Sequence, residues 1–520
     1  MRNTGLHLVQ GKLLSWVTIL VGLWAAWYAG NKIADDAYTG VLLGILFLVS
    51  VLAVLTARWY WWLPAFAIGV FGLSTIAPGF KLDGTDLMAL FGFACLLAMV
   101  TMGKLTPKNT HPNLGLFFYL LILYVGAHAV LYGVDNYFNA DTQFKNIAKR
   151  YYALVAPLIF IWCLDRYAHP KGLRQIINLM LLVTILFSIV GVMLTIYDMV
   201  IPLLSDGYLN FSWADPDTAN GYLRSVAPLM LLLALCLTAS SPKGWDKVLY
   251  RGGVVILLPA TFFGGGRLSL VGILVSFACW LIIRKKWKFV IFWGWLLAMT
   301  ATGMAIAGRT MDARQLQNMP QSFMMVQRAV SIFLPADKVI DDAVMTEGSD
   351  QWHQDLIKGA WDYANENYRS MILGKGFKGW DDSIDMTTYT YGQEAYEAAV
   401  KIAIRMGASE TTFFSILPIL GWLGVVLYYG FMIELLRRNL RVLKLCPEGT
   451  LAKSLCEFTF CLLFTTLLLS PISGVIPSYN MIFWMIGFIA AEPYIQKAVK
   501  QQIAPREHGP ATFRGQLAKR

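Results

Sequence analysis

Long runs without a single charge dominate this chain. Many stretches of about 17–24 residues contain no Asp, Glu, Lys or Arg, enough helix to cross a hydrocarbon layer of about 30 Å. Only 14% of the residues are charged and 57% are hydrophobic, whereas a soluble protein carries about 25% charged residues. A soluble enzyme, a secreted module and a disordered chain are thereby excluded. Porin-type barrels are excluded too, because their strands alternate apolar and polar residues every second position. Six His and seven Cys are too few for a metal cluster or a disulfide scaffold.

Helix is the only open structure whose backbone is satisfied within lipid, so the fold class expected is an all-α polytopic membrane protein. About fourteen spans can be read, at 13–30, 40–57, 60–77, 86–103, 114–132, 147–164, 174–197 and 221–239, then 248–264, 267–283, 289–307, 412–436, 453–470 and 477–497. They divide the chain into a membrane domain at 1–307 with about eleven spans, a loop domain at 308–411, a second membrane domain at 412–497 with about three spans, and a basic tail at 498–520. Basic residues of short loops stay in the cytoplasm. The clusters Arg284-Lys-Lys286 with Lys288, and Arg437, Arg438, Arg441 and Lys444, place both termini inside and 308–411 outside. The net charge of +11 is then a topology signal, and no nucleic-acid partner is expected.

The outer segment is read as helical. Trp352, Leu356, Ile357, Ala360, Trp361 and Ala364 form one stripe. Leu373-Gly-Lys-Gly-Phe-Lys-Gly-Trp380 reads as a turn, and Glu394 to Met406 as an amphipathic helix with a Glu397/Lys401 pair. A cap lying on the membrane surface and a lid over a site are both compatible with this pattern.

Four charges stand at span ends on the outer side: Arg150, Arg224, Arg267 and Glu410. Ionisable groups in such places are functional candidates. Each also has a plain explanation. Arg150 follows Lys145 and Lys149 and can snorkel to headgroups, as can Arg224. Arg267 follows three glycines, Gly264 to Gly266, that permit close packing. Glu410 can cap the helix that follows. Together, guanidinium forks suit the oxygens of a pyrophosphate, and Glu410 is placed to take a proton from an acceptor hydroxyl. Asp215 and Asp217, with Asp206 near them, form a second grouping that suits a divalent cation but also simple turn chemistry. His353 is a secondary acid–base candidate. His128, inside a span, reads as a satisfied polar residue. No phosphate-binding loop, dinucleotide fingerprint or serine-hydrolase elbow is present.

Three stretches carry a family resemblance: Asp217-Thr-Ala-Asn-Gly-Tyr-Leu-Arg224, Gly266-Arg-Leu-Ser-Leu270 and Leu373-Gly-Lys-Gly-Phe377. In order and depth the chain resembles the bacterial O-antigen ligase and polymerase superfamily (WaaL- and Wzy-like proteins). A fourth stretch departs from it. The ligases carry His eleven residues before a Gly-x-x-Gly. Here Gly421-Trp-Leu-Gly424 is preceded at that distance by Glu410, which favours a polymerase or a divergent transferase. The resemblance implies a periplasmic-face glycosyltransferase in the bacterial inner membrane, among membrane lipids. It would use an undecaprenyl-pyrophosphate-linked glycan as donor and a glycan, lipid or protein acceptor, with no cofactor or metal. Arg224, Arg267 and Arg150 would bind the donor pyrophosphate and Glu410 would be the catalytic base. The alternative is a glycolipid transporter or flippase, against which stand the lack of a convincing internal repeat and the gathering of charges at one face rather than at the midplane.

Overall fold

The computed structural model describes residues 115–138, 151, 154, 170–204, 216–263, 267–310, 344–376, 400–401, 403–405, 411–471 and 480–503. Helix accounts for 89% of it and no strand occurs among the described residues. The helices are α1 Leu116–Phe138, α2 Pro170–Leu204, α3 Pro216–Thr238, α4 Trp245–Phe263, α5 Arg267–Ile283 and α6 Trp287–Thr310, then α7 Val344–Ala364, α8 Tyr368–Leu373, α9 Thr412–Leu445, α10 Leu451–Leu469 and α11 Asn480–Ile503. Among the described residues three stretches, Leu173–Met193, Thr412–Leu445 and Leu451–Leu469, are long and apolar enough to cross a membrane, and Leu116–Tyr132, Val226–Thr238 and Val271–Ile283 are shorter apolar helices. This is the build of an all-α membrane protein. The first four spans read from the sequence, the 147–164 span apart from residues 151 and 154, and the tail beyond 503 lie outside the described residues.

One apolar core runs through the bundle. Leu223, Met230, Leu233 and Leu237 of α3, Phe431 of α9, Leu455 and Phe458 of α10 and Trp484 of α11 are all buried in it. Helices α9 and α5 each run antiparallel to α10. Phe413 N–H donates to Ser470 O, and Tyr429 Oη to Ser470 Oγ at 2.7 Å, so α9 begins where α10 ends. Ser276 bonds Thr465 at 2.7 Å, and Trp280 donates to Glu457 at 3.1 Å, so α5 also runs against α10. Cys236, late in α3, lies within electrostatic reach of Cys279 and Glu457, so α3 runs parallel to α5. Small residues let backbones approach in an apolar medium. Thr459 Oγ1 accepts from Gly487 N–H at 3.1 Å and donates to Phe483 O at 3.0 Å, which closes α10 against α11.

The stripe read along α7 is confirmed at Leu356, Ala360 and Ala364, which are buried, while Trp361 remains 44% exposed. A small second core joins Leu356 and Ala360 to Val400 and Ile404. One sequence reading is corrected. Asp217 was expected in a loop reaching residue 220, yet α3 starts at Pro216. Proline has its φ preset for a first helical position and needs no N–H there, and an acid in the first turn favours the helix dipole. Arg224 therefore lies in the third turn of its helix, deeper than the one turn inside that a start at 221 implies.

Candidate functional site

Helix α9 is broken. At Gly421 the backbone takes φ 64° and ψ −173°, three residues after Pro418. Such a break strips carbonyls of their helical partners, which an apolar medium does not tolerate. Three consecutive carbonyls find substitutes. Pro418 O accepts from Lys375 N–H at 2.9 Å and Ile419 O from Gly376 N–H at 3.0 Å. Leu420 O accepts from Tyr124 Oη at 2.8 Å. The glycine-rich turn after α8 is thus bonded into the break like a short added strand.

Glycine is required at the crossing for two reasons. Gly374 and Gly421 both have positive φ, 75° and 64°, a region that side-chain-bearing residues rarely adopt. The two backbones also touch: a Cβ on Gly374 would strike Ile419 O, and one on Gly421 would strike Ile372 O. The glycine turn at 373–376, from a stretch that carries the family resemblance, and Gly421, from the Gly-x-x-Gly of the stretch that departs from it, therefore interlock at this crossing.

One face of α1 meets the turn. Tyr124, His128 and Tyr132 are spaced four residues apart and so share that face. Tyr124 Oη also reaches Leu373 O at 3.1 Å. His128 is 2% exposed, with Nε2 at 2.8 Å from Leu373 O and Nδ1 at 2.9 Å from Tyr151 Oη. A carbonyl only accepts, so Nε2 carries the hydrogen and Nδ1 accepts from Tyr151. Both ring nitrogens are satisfied, in agreement with the sequence reading of His128. Tyr132 stacks on the imidazole at 4.4 Å, and the Arg369 guanidinium lies 5.6 Å from the Tyr132 ring centre.

Charges and aromatics surround the turn. Lys375 pairs with Glu366, and its ammonium sits 3.9 Å from the Tyr363 ring centre. Burial pushes the Tyr363 hydroxyl above its ordinary range, with Arg405 nearby pulling it the other way. Trp361 meets Trp422 edge-on at 6.0 Å, and Phe413 meets Trp422 at 5.7 Å, which seats α7 on the first turns of α9. The N-cap of α9 is Thr411, whose hydroxyl accepts from Phe414 N–H at 3.2 Å. The capping oxygen considered for Glu410 is thus supplied by its neighbour.

Arg267 is the first residue of α5, and Arg224 lies in the N-terminal half of α3. The helix directions given above put both backbone positions at the end of the bundle where α9 begins. The side chains of Arg224, Arg267, Asp217 and His353 lie outside what the structure describes, as do Arg150, Asp215 and Glu410 altogether.

The opposite end carries ion pairs that the sequence reading missed. Glu457 is fully buried, and its Oε2 accepts from Arg284 Nε at 2.8 Å and from Trp280 Nε1. Arg284 also reaches Glu448 at 3.1 Å, and Lys453 reaches Glu448 at 3.2 Å. Arg174 pairs with Asp246, which accepts from Asn178, whose own oxygen accepts from Tyr250. The available signal was the placing of Glu457 two turns inside an apolar helix.

The chain matches no known family profile, and no curated protein is significantly similar to it.

Proposed function

We propose that the chain is a membrane glycosyltransferase that moves an undecaprenyl-pyrophosphate-linked glycan onto an acceptor at the periplasmic face of a bacterial inner membrane. The single observation that carries this reading is the crossing of the 374–376 turn with the break at Gly421. It joins one of the stretches on which the resemblance to O-antigen polymerases and ligases rests to the Gly-x-x-Gly that follows Glu410. It lies at the bundle end that also holds the backbone positions of Arg224 and Arg267.

In this mechanism Arg224, Arg267 and Arg150 hold the donor pyrophosphate through guanidinium forks. Glu410 accepts the proton of the acceptor hydroxyl as its oxygen bonds to the anomeric carbon of the donor glycan. The bond from that carbon to the pyrophosphate oxygen breaks, and the electron pair leaves with undecaprenyl pyrophosphate. The leaving group is a good one, so orientation and charge stabilisation supply most of the rate.

The break in α9 also gives a transporter reading some footing, because broken helices present backbone groups to cargo. Here the three carbonyls at 418–420 are occupied by Lys375, Gly376 and Tyr124, which favours the transferase. The glycan profile of a deletion strain tests the reading. Loss of long chains with single repeats retained identifies a polymerase, and unattached full-length chains identify a ligase. An unchanged profile with intact export overturns both.

A further inference from the structure

We propose that Tyr124 and His128 are positioning residues of the transfer site, a clamp on α1 that holds the 374–376 turn in the break of α9. This rests on the transferase reading for its functional half and on geometry alone for its structural half.

The single hydrogen of Tyr124 Oη is shared between both sides of the crossing, Leu420 O on the broken helix at 2.8 Å and Leu373 O on the turn at 3.1 Å. His128 adds a second bond to the same Leu373 carbonyl and ties it, through Tyr151, to a further segment of the chain. Four segments remote in sequence therefore meet at two side chains one helical turn apart. Gly376 completes the fit, since a Cβ there would come within 2.7 Å of Tyr132 Cβ and 3.0 Å of Tyr151 Oη.

The clamp fixes two things that matter to the site. It sets the place of Lys375, whose ammonium is held between Glu366 and the Tyr363 ring. It also bears on the stretch from Thr412 to Leu420, which begins two residues after Glu410, because the held turn bonds the Pro418 and Ile419 carbonyls and Tyr124 bonds that of Leu420. A general base has to sit within hydrogen-bond reach of its hydroxyl, and a displacement of about 1 Å costs on the order of 100-fold in rate. Neither clamp side chain touches substrate in this account; both act through the placing of the turn and of α9.

The test uses the full chain in lipid nanodiscs, with Tyr124→Phe, His128→Ala and His128→Gln. Tyr124→Phe removes the hydroxyl and keeps the ring, and His128→Gln keeps a donor for Leu373 O. The first readout is amide exchange at 373–376. Tyr124→Phe and His128→Ala should speed it at least about tenfold, because the N–H groups of Lys375 and Gly376 open more often. The second readout is glycan transfer from an undecaprenyl-pyrophosphate-linked donor. Here kcat should fall about 10- to 100-fold with donor KM changed less than about threefold, the mark of lost positioning rather than lost binding. His128→Gln should recover most of both. Unchanged exchange in Tyr124→Phe and His128→Ala overturns the clamp. Faster exchange with wild-type kcat overturns the positioning role. A wild-type protein inactive toward the donor overturns the transferase reading and the positioning role with it, while the exchange readout still decides whether the turn is clamped.

Discussion

At one end of the bundle side-chain charges join the helices, and at the other hydrogen bonds to backbone carbonyls do. The charged end is tied by Arg284, Glu457, Glu448 and Lys453, and separately by Arg174 and Asp246. The loop end is tied by Lys375 N–H, Gly376 N–H and the Tyr124 hydroxyl on the carbonyls of a broken helix. Charge pairs tolerate small shifts of either partner, because Coulomb attraction falls slowly with distance. Backbone bonds at a glycine crossing tolerate almost none. The end built to the tighter tolerance is the end at which we propose the transfer chemistry, where reacting groups would need fixed placement.

The largest effect should come from breaking the charged end at its buried member. Glu457→Ala leaves the Arg284 guanidinium without its buried partner, which costs about 3–5 kcal/mol. Thermal unfolding in detergent micelles reads the loss. Replacing both residues together, Glu457→Leu with Arg284→Met, should recover most of it, because a well-packed apolar pair often matches a buried ion pair. A double variant as unstable as Glu457→Ala would show that the pair has a role beyond mutual neutralisation.

At the loop end, Gly374→Ala and Gly421→Ala each force a Cβ against a carbonyl at positive φ. Each should cost about 1–3 kcal/mol from the backbone conformation alone, with the clash added. Unlike Glu457→Ala, each should also raise proteolysis at the turn. Equal proteolysis in the two sets would erase the contrast between the ends. A smaller effect tests whether one hydroxyl matters where backbone bonds dominate. Tyr429→Phe removes the 2.7 Å bond to Ser470 and should cost about 1 kcal/mol, measured by the same unfolding assay.

The apolar runs made the helices legible, because span length and freedom from charge are local properties. The span read at 267–283 coincides with α5, and the start read at 412 coincides with that of α9. The start of α3 was misplaced because Asp-Pro-Asp serves a turn and a helix N-terminus equally well. The break at Gly421 was not legible at all. Gly-Trp-Leu-Gly in an apolar run looks like helix packing, and the positive φ appears only when another segment supplies the missing amides. The roles of Tyr124 and Glu457 depend on partners more than 170 residues away in sequence, which no local pattern encodes. The resemblance did single out both glycine stretches, though not that they touch.

The most direct test is the turnover of Glu410→Gln beside wild type, in liposomes carrying an undecaprenyl-pyrophosphate-linked glycan and its acceptor. The variant keeps the size of the side chain and removes its charge, and Thr411 continues to cap α9. Wild type should transfer glycan, and Glu410→Gln should fold, bind donor and turn over about 10²–10⁴-fold more slowly. Wild-type turnover in Glu410→Gln would contradict the account.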